Sequence, residues 1–172
     1  MIKLENINKY YFKGERHQIH VVNNVTLEFP NAGFVTILGV SGSGKTTLLN
    51  IIGGLDKFDS GSITYDDKVF NKYDMDEIDA LRNEKIGYIF QNYLLINNFT
   101  VYDNLKVALE AMDVLDPQEQ NKRIEHALKS VGLFKYRKKK VKNLSGGQMQ
   151  RVSIARCIVK DSEVIIADEP TG

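Results

Sequence analysis

The chain has 172 residues, 42% hydrophobic and 26% charged, enough for one domain with its own core and incompatible with a wholly disordered or collagen-like polypeptide. With 23 Lys+Arg against 22 Asp+Glu the formal net charge is +1, so bulk electrostatics do not point to nucleic acid. The single cysteine, Cys157, excludes an intrachain disulfide and suits a reducing compartment, and the longest apolar runs, such as Phe34–Leu38 and Val164–Ala167, fall far short of the roughly 20 residues of a membrane-spanning helix.

The N-terminal Met-Ile-Lys-Leu-Glu-Asn carries no apolar signal core, so a soluble cytoplasmic chain is expected, with any membrane role supplied by a partner. Val25, Leu27 and Phe29 alternate with Thr26 and Glu28, the period of a half-buried strand. After the turn signal Asn31-Ala32-Gly33, Phe34–Leu38 reads as a buried parallel strand. A Gly/Ser loop follows, then a helix over Thr46–Ile52 stopped by Gly53-Gly54. Ser62–Phe70 reads as a hairpin turning at Asp66-Asp67, and Asp74 with Glu77 as a capping box for a helix through Arg82. Ile86–Phe90 is a second short buried strand. Thr100 and Asp103 cap a helix with Val101, Leu105, Ala108 and Met112 on one face. Asp116-Pro117 opens another, with Ile124, Leu128 and Val131 at helical spacing and Gly132 as its stop. A last helix begins near Ser145, with Cys157 as a small core residue, and Val164–Ala167 is a strand expected to be buried on both faces. Strands alternating with helices predict an α/β core with a parallel sheet.

Three constellations carry chemistry. Gly39-Val-Ser-Gly-Ser-Gly44-Lys45-Thr46 fits G-x-x-x-x-G-K-[ST] with a strand expected before it and a helix after it. The glycines let successive N–H groups point into one concavity, and the helix adds its free N–H groups and positive dipole end. Lys45 supplies a point charge for the β- and γ-phosphates, and Thr46 a hydroxyl for Mg²⁺. The apolar strand Val164–Ala167 ends in Asp168-Glu169: a carboxylate there can reach Mg²⁺, and the next can polarise water as general base. Leu144-Ser145-Gly146-Gly147-Gln148 opens a helix with a Ser cap and two glycines, a second anion nest.

Gly39–Thr46, Gln91, Leu144–Gln148 and Val164–Gly172 occur in the order of ABC-type ATPases, the nucleotide-binding domains of ATP-binding cassette transporters, and the chain resembles that family over essentially its whole length. The resemblance implies a phosphate-loop core with a parallel sheet, an N-terminal antiparallel β-region and an inserted helical subdomain. Core and β-region would occupy about 1–90 and 160–172, and the helical subdomain about 91–159. It implies ATP and Mg²⁺ as ligands. Nucleotide contacts would come from Tyr11, stacking on adenine, from Gly39, Ser41, Gly42, Ser43, Gly44, Lys45, Thr46 and Thr47, and from Ser145, Gly146, Gly147 and Gln148 across a head-to-tail dimer. Thr46, Gln91 and Asp168 would serve the metal, and Glu169, Lys45 and Gln91 hydrolysis. The implied partners are a transmembrane permease and a second ATPase domain, on the inner face of the cell membrane, with no nucleic acid.

Gly53-Gly-Leu-Asp56, Ile89-Phe-Gln-Asn92, Gln148–Arg156 and Ala167–Gly172 resemble the lipoprotein-release and macrolide-export branch, which also includes antimicrobial-peptide pumps and a cell-division ATPase. The alternatives are a non-transport ATPase of translation-factor or DNA-repair type, or a nucleotide-gated signalling module of a cell-division complex. The 100 residues from Lys45 to Ser145 hold no heptad run, against the repair type. The family pattern continues with a dimer-contact loop and a switch histidine after the position of Gly172. His17, His20 and His126 all precede the acidic strand and are read as surface or packing residues, so a fragment lacking the last quarter of the domain, with activity in doubt, is expected. Lys135, Arg137, Lys138, Lys139, Lys140 and Lys142 place six positive charges in eight residues, read as a solvated loop in preference to a lipid or acidic-partner contact.

Overall fold

The computed structural model describes residues 1–71 and 75–169. By contact the chain forms two compact units, Met1–Asp79 and Ala80–Gly172.

In the first unit, β1 (Ile2–Tyr11), β2 (Ile19–Phe29), β3 (Ser60–Tyr65) and β4 (Lys68–Phe70) form an antiparallel sheet in the order β2-β1-β3-β4. Leu4 pairs with Leu27 on one side and Ile63 on the other and is fully buried. The register slips between Leu4 and Ile7, where Asn6 takes φ 51, a left-handed conformation that asparagine tolerates. The β3–β4 hairpin turns at Asp66 (φ 52), as the Asp66-Asp67 signal predicts. Helix α1 (Lys45–Ile52) buries Ile51 and Ile52. The buried Tyr65 hydroxyl donates to the carbonyl of Ile52, fastening the sheet to the end of α1, and burial raises the pKa of that phenol.

Phe34–Leu38 does not form the expected strand. Phe34 is 93% and Leu38 86% exposed, and the segment pairs with no strand among the described residues. Apolar β-forming composition supplies propensity, whereas a parallel strand exists only through hydrogen bonds to neighbours in register.

Helix α2 (Met75–Lys85) spans the boundary of the two units; Asp74, its expected cap, lies outside the described residues. In the second unit β5 (Ile86–Ile89) and β6 (Val164–Ala167) pair in parallel, Ile86 with Val164 through Ile89 with Ala167. Ile166 is buried but Ile165 is 52% exposed, so β6 is not covered on both faces as expected. Its one strand neighbour among the described residues is β5, and an edge strand keeps part of its surface.

Helices α3 (Val101–Glu110), α4 (Pro117–Ser130) and α5 (Gly146–Lys160) pack on one another, and α5 also packs on β5. Their interface is a buried core of Val101, Leu105, Leu109, Ile124, Leu128 and Val152 with further aliphatic neighbours. Each start is capped by side chains. Thr100 and Asp103 form a reciprocal box, Asp116 accepts from Gln118 and Glu119 ahead of Pro117, and Ser145 and Gln148 form a second box. Among the described residues no helix is long and apolar enough to cross a membrane.

The basic segment has structural work of its own. The carbonyls of Arg137 and Lys139 accept from the N–H groups of Tyr102 and Val101, satisfying the start of α3. The Arg137 guanidinium lies 4.4 Å over the Phe134 ring.

Candidate functional site

The phosphate loop belongs to the first unit. Gly42 and Gly44 adopt φ 77 and 89, and Gly44 is also the residue that precedes α1. A Cβ on Gly44 would stand 2.8 Å from the Val21 carbonyl oxygen, so both the conformation and β2 require glycine there. Gly44, the N-cap of α1, has no side chain to cap the helix, so no side-chain cap bond closes its start. Ser41, Ser43, Thr46 and Thr47 line the same loop and first turn. The Lys45 ammonium donates to the carbonyls of Gly39 (2.9 Å) and Val40 (2.8 Å). A cation held by neutral dipoles beside an uncapped helix start is the chemistry of an anion cradle.

Tyr11 stands at this cradle. Its hydroxyl donates to Asp56 (3.1 Å) and lies 3.4 Å from the Thr47 hydroxyl. Asp56 in turn pairs with Lys9 at 2.6 Å, and the Lys9 ammonium lies 5.2 Å from the Tyr11 ring centre. The neighbouring aromatics are engaged elsewhere: Tyr10 stacks on His20 at 4.0 Å and Phe12 leans on His17. Sequence reasoning missed Lys9 and Asp56, whose pairing joins positions 47 residues apart with no local signal.

The second unit holds the carboxylates and Gln91. The Asp168 N–H donates to the Ile89 carbonyl at 3.0 Å, extending the β5–β6 ladder and setting Asp168 at its end. Tyr88 stacks on Phe90, and burial, then the nearby Asp168 charge, raise the pKa of its phenol. Glu169 follows in a left-handed conformation, φ 46, and the Gln91 side-chain amide donates to its carboxylate at 2.7 Å. That contact leaves the amide oxygen of Gln91 available as a hard donor. Within this unit Asp168 and Gln91 carry side-chain oxygens of the kind that suit Mg²⁺.

The Ser145–Gln148 segment starts α5. Ser145 Oγ accepts from the Gln148 N–H at 3.4 Å, and Gln148 Oε1 accepts from the Ser145 N–H at 3.0 Å. The Ser145 hydroxyl proton and the N–H groups of Gly146 and Gly147 are not consumed by this box. A side chain at Gly147 would meet nothing within 4 Å, and its φ is not left-handed. Chain packing therefore does not require glycine at that position. Arg156, in the same helix, was assigned no task by sequence reasoning. Its available signal is a charge set among apolar neighbours, Ile154-Ala155 and Cys157-Ile158.

A G-x-x-x-x-G-K-T loop at the start of α1, an acidic strand end and a Ser-Gly-Gly-Gln helix start are the marks of an ATP-binding cassette. The ABC transporter family profile matches residues 22–172. The chain is 44% identical over its whole length to a macrolide export ATP-binding/permease protein, MacB, of Mannheimia succiniciproducens, covering 26% of that protein. It is 42% identical to an uncharacterized ABC transporter ATP-binding protein, MJ0796, of Methanocaldococcus jannaschii, covering 74% of it. A dimeric structure of the MJ0796 cassette in a post-hydrolysis state bound to ADP and Pi superimposes with TM-score 0.91 at 40% identity, over 99% of this chain and 75% of that one. The chain belongs to the ABC transporter family and has its α/β cassette fold. It spans about a quarter of the length of the MacB relatives.

Proposed function

We propose that this chain binds and hydrolyses ATP with Mg²⁺ and powers a membrane permease, as one half of a homodimeric or pseudo-dimeric ATPase at the inner face of the cell membrane. The observation that carries the reading is the start of α1: uncapped, preceded by two left-handed glycines, with the Lys45 cation beside it. The macrolide-export relatives, in which the cassette is named together with a permease, favour the transporter reading over the translation, repair and signalling alternatives. In functional terms we assign 1–90 and 160–172 to the core and β-region and 91–159 to the helical subdomain.

Each side chain then has a task. Tyr11 presents its ring to adenine. The N–H groups of Gly39–Thr47 hold the phosphate oxygens, and Lys45 neutralises charge on the β- and γ-phosphates. Thr46, Asp168 and Gln91 would hold Mg²⁺, which when bound offsets charge on the same oxygens. Glu169 accepts the proton of water as its oxygen attacks the γ-phosphorus in line; the bond to the β–γ bridging oxygen breaks and ADP leaves with the electron pair. Gln91 keeps the Glu169 carboxylate oriented. Ser145, Gly146 and Gly147 donate to the γ-phosphate bound on the opposite subunit, with Gln148 holding Ser145 in place.

The test is Glu169→Gln in the complete protein with its permease. ATP should still bind, with two nucleotides trapped per dimer, while phosphate release stops. Wild-type turnover in this variant would show that another group polarises the water.

A further inference from the structure

Gln91 sits in a tight turn. The Tyr93 N–H donates to the Phe90 carbonyl at 2.9 Å, so Gln91 and Asn92 are its central residues, and the Leu94 N–H returns to the Asn92 carbonyl at 2.7 Å. The turn exits through two consecutive non-glycine residues in the left-handed region, Tyr93 (φ 61) and Leu94 (φ 41), an unfavourable pair for L side chains. Both of their carbonyls are taken by one side chain: Arg156 Nη1 donates to Leu94 O at 2.7 Å and Nη2 to Tyr93 O at 2.9 Å.

Arg156 is itself costly to keep. Burial disfavours its charged form, and its hydrogen bonds are to neutral carbonyls. A planar fork matches two adjacent carbonyls in a way a lysine ammonium does not. Arg156 belongs to α5, whose first residue, Gly146, faces the Tyr93 hydroxyl: a Cβ there would lie 3.9 Å from it. The helix that begins with the Ser145 cap therefore meets the Gln91 turn at its start and again from Arg156.

We propose that Arg156 is a positioning residue for hydrolysis: by clamping the carbonyls of Tyr93 and Leu94 it holds the turn that presents Gln91 to Glu169, and so ties α5 to the carboxylate that activates water. The proposal rests on the roles given above to Gln91 and Glu169. The contact from Gln91 to Glu169 at 2.7 Å is the far end of the chain, and the Arg156 fork is the near end.

The test is steady-state ATP hydrolysis by the complete protein with its permease in liposomes, with thermal unfolding of each variant alongside. Arg156→Lys keeps the charge but cannot span both carbonyls. It should lower kcat at least about tenfold, in keeping with the sensitivity of rates to a misplacement of about 1 Å, with a much smaller change in KM for ATP, since Tyr11 and Gly39–Thr47, which hold the nucleotide itself, lie outside this turn and just Gln91, at the metal, lies in it. Adding Leu94→Gly should recover at least about threefold in kcat, because glycine adopts the left-handed conformation without the clamp. Leu94→Pro, at an exposed position with Arg156 intact, should reproduce the kcat loss, because proline cannot adopt φ 41; this arm stands if Arg156→Lys does not accumulate. Arg156→Lys or Leu94→Pro with kcat within twofold of wild type overturns the proposal. So does a loss of kcat matched by a rise in KM and unrelieved by Leu94→Gly, which marks a scaffold residue alone. Glu169→Gln run in parallel separates the two levels. If it is inactive while Arg156→Lys is normal, only the positioning role falls; if it turns over at wild-type rate, the functional reading falls and this proposal with it.

Discussion

Two helices of this protein begin at glycine-rich segments, and they begin in opposite ways. Helix α1 starts at Lys45 after left-handed Gly44, with no side-chain cap. Helix α5 starts at Gly146 under a complete box, in which Ser145 and Gln148 satisfy each other's backbone. A capped start is stable without a ligand; an uncapped one leaves its dipole and donors to whatever anion arrives. The contrast separates the two jobs. In the proposed function α1 is the start completed by phosphate, whereas α5 is preformed and offers the Ser145 proton and the N–H groups of two glycines.

The contrast can be broken most directly at Lys45. Lys45→Ala removes the cation beside the open start, and ATP affinity should fall at least about 100-fold, nearly 3 kcal/mol, by equilibrium nucleotide binding. Affinity within twofold of wild type would mean that the open start is not an anion site. Gly44→Ala acts on the backbone. It forces a side chain into φ 89 and to 2.8 Å from the Val21 carbonyl, and should lower stability by about 1–3 kcal/mol, read by denaturant unfolding. A neutral result would show that the loop relaxes freely.

At the closed start the expected effect is smaller. Ser145→Ala removes half of the box and should cost about 1 kcal/mol in stability, while ATP affinity of the isolated subunit stays within about twofold because the first-unit cradle is untouched. A loss of monomer affinity as large as that from Lys45→Ala would erase the distinction between the two starts. Further along α5, burial pushes the Cys157 thiol up to about 11 from 9.0. Because the folded pKa lies above the unfolded one, the stability that this thiol contributes is complete below pH 9 and is lost as pH rises through about 11. At pH 8 iodoacetamide should leave Cys157 unmodified in the folded protein; rapid labelling would show that α5 opens readily.

Much of this was legible without coordinates because the signals are local. A helix cap acts over three residues, so Thr100–Asp103, Asp116-Pro117 and Ser145–Gln148 are readable as written and recur as caps in the structure. The phosphate loop is likewise a contiguous motif, and two of its glycines, Gly42 and Gly44, take left-handed angles. Strand pairing is not local. Phe34–Leu38 and Val164–Ala167 are similar apolar runs, yet the second pairs with β5 and the first pairs with no strand among the described residues.

By itself, then, the order of residues determined the family, the helices and the caps of α3, α4 and α5, the phosphate loop and which carboxylates follow the last strand, since each depends on neighbours a few positions apart. Tertiary structure alone decided which apolar run became a strand and that Gln91 meets Glu169 across 78 residues. It also decided that Arg156 reaches back 62 and 63 residues to hold Leu94 and Tyr93. Those contacts follow from how α5, β5 and β6 come together, and no periodicity or spacing along one chain encodes the distance between side chains on separate elements.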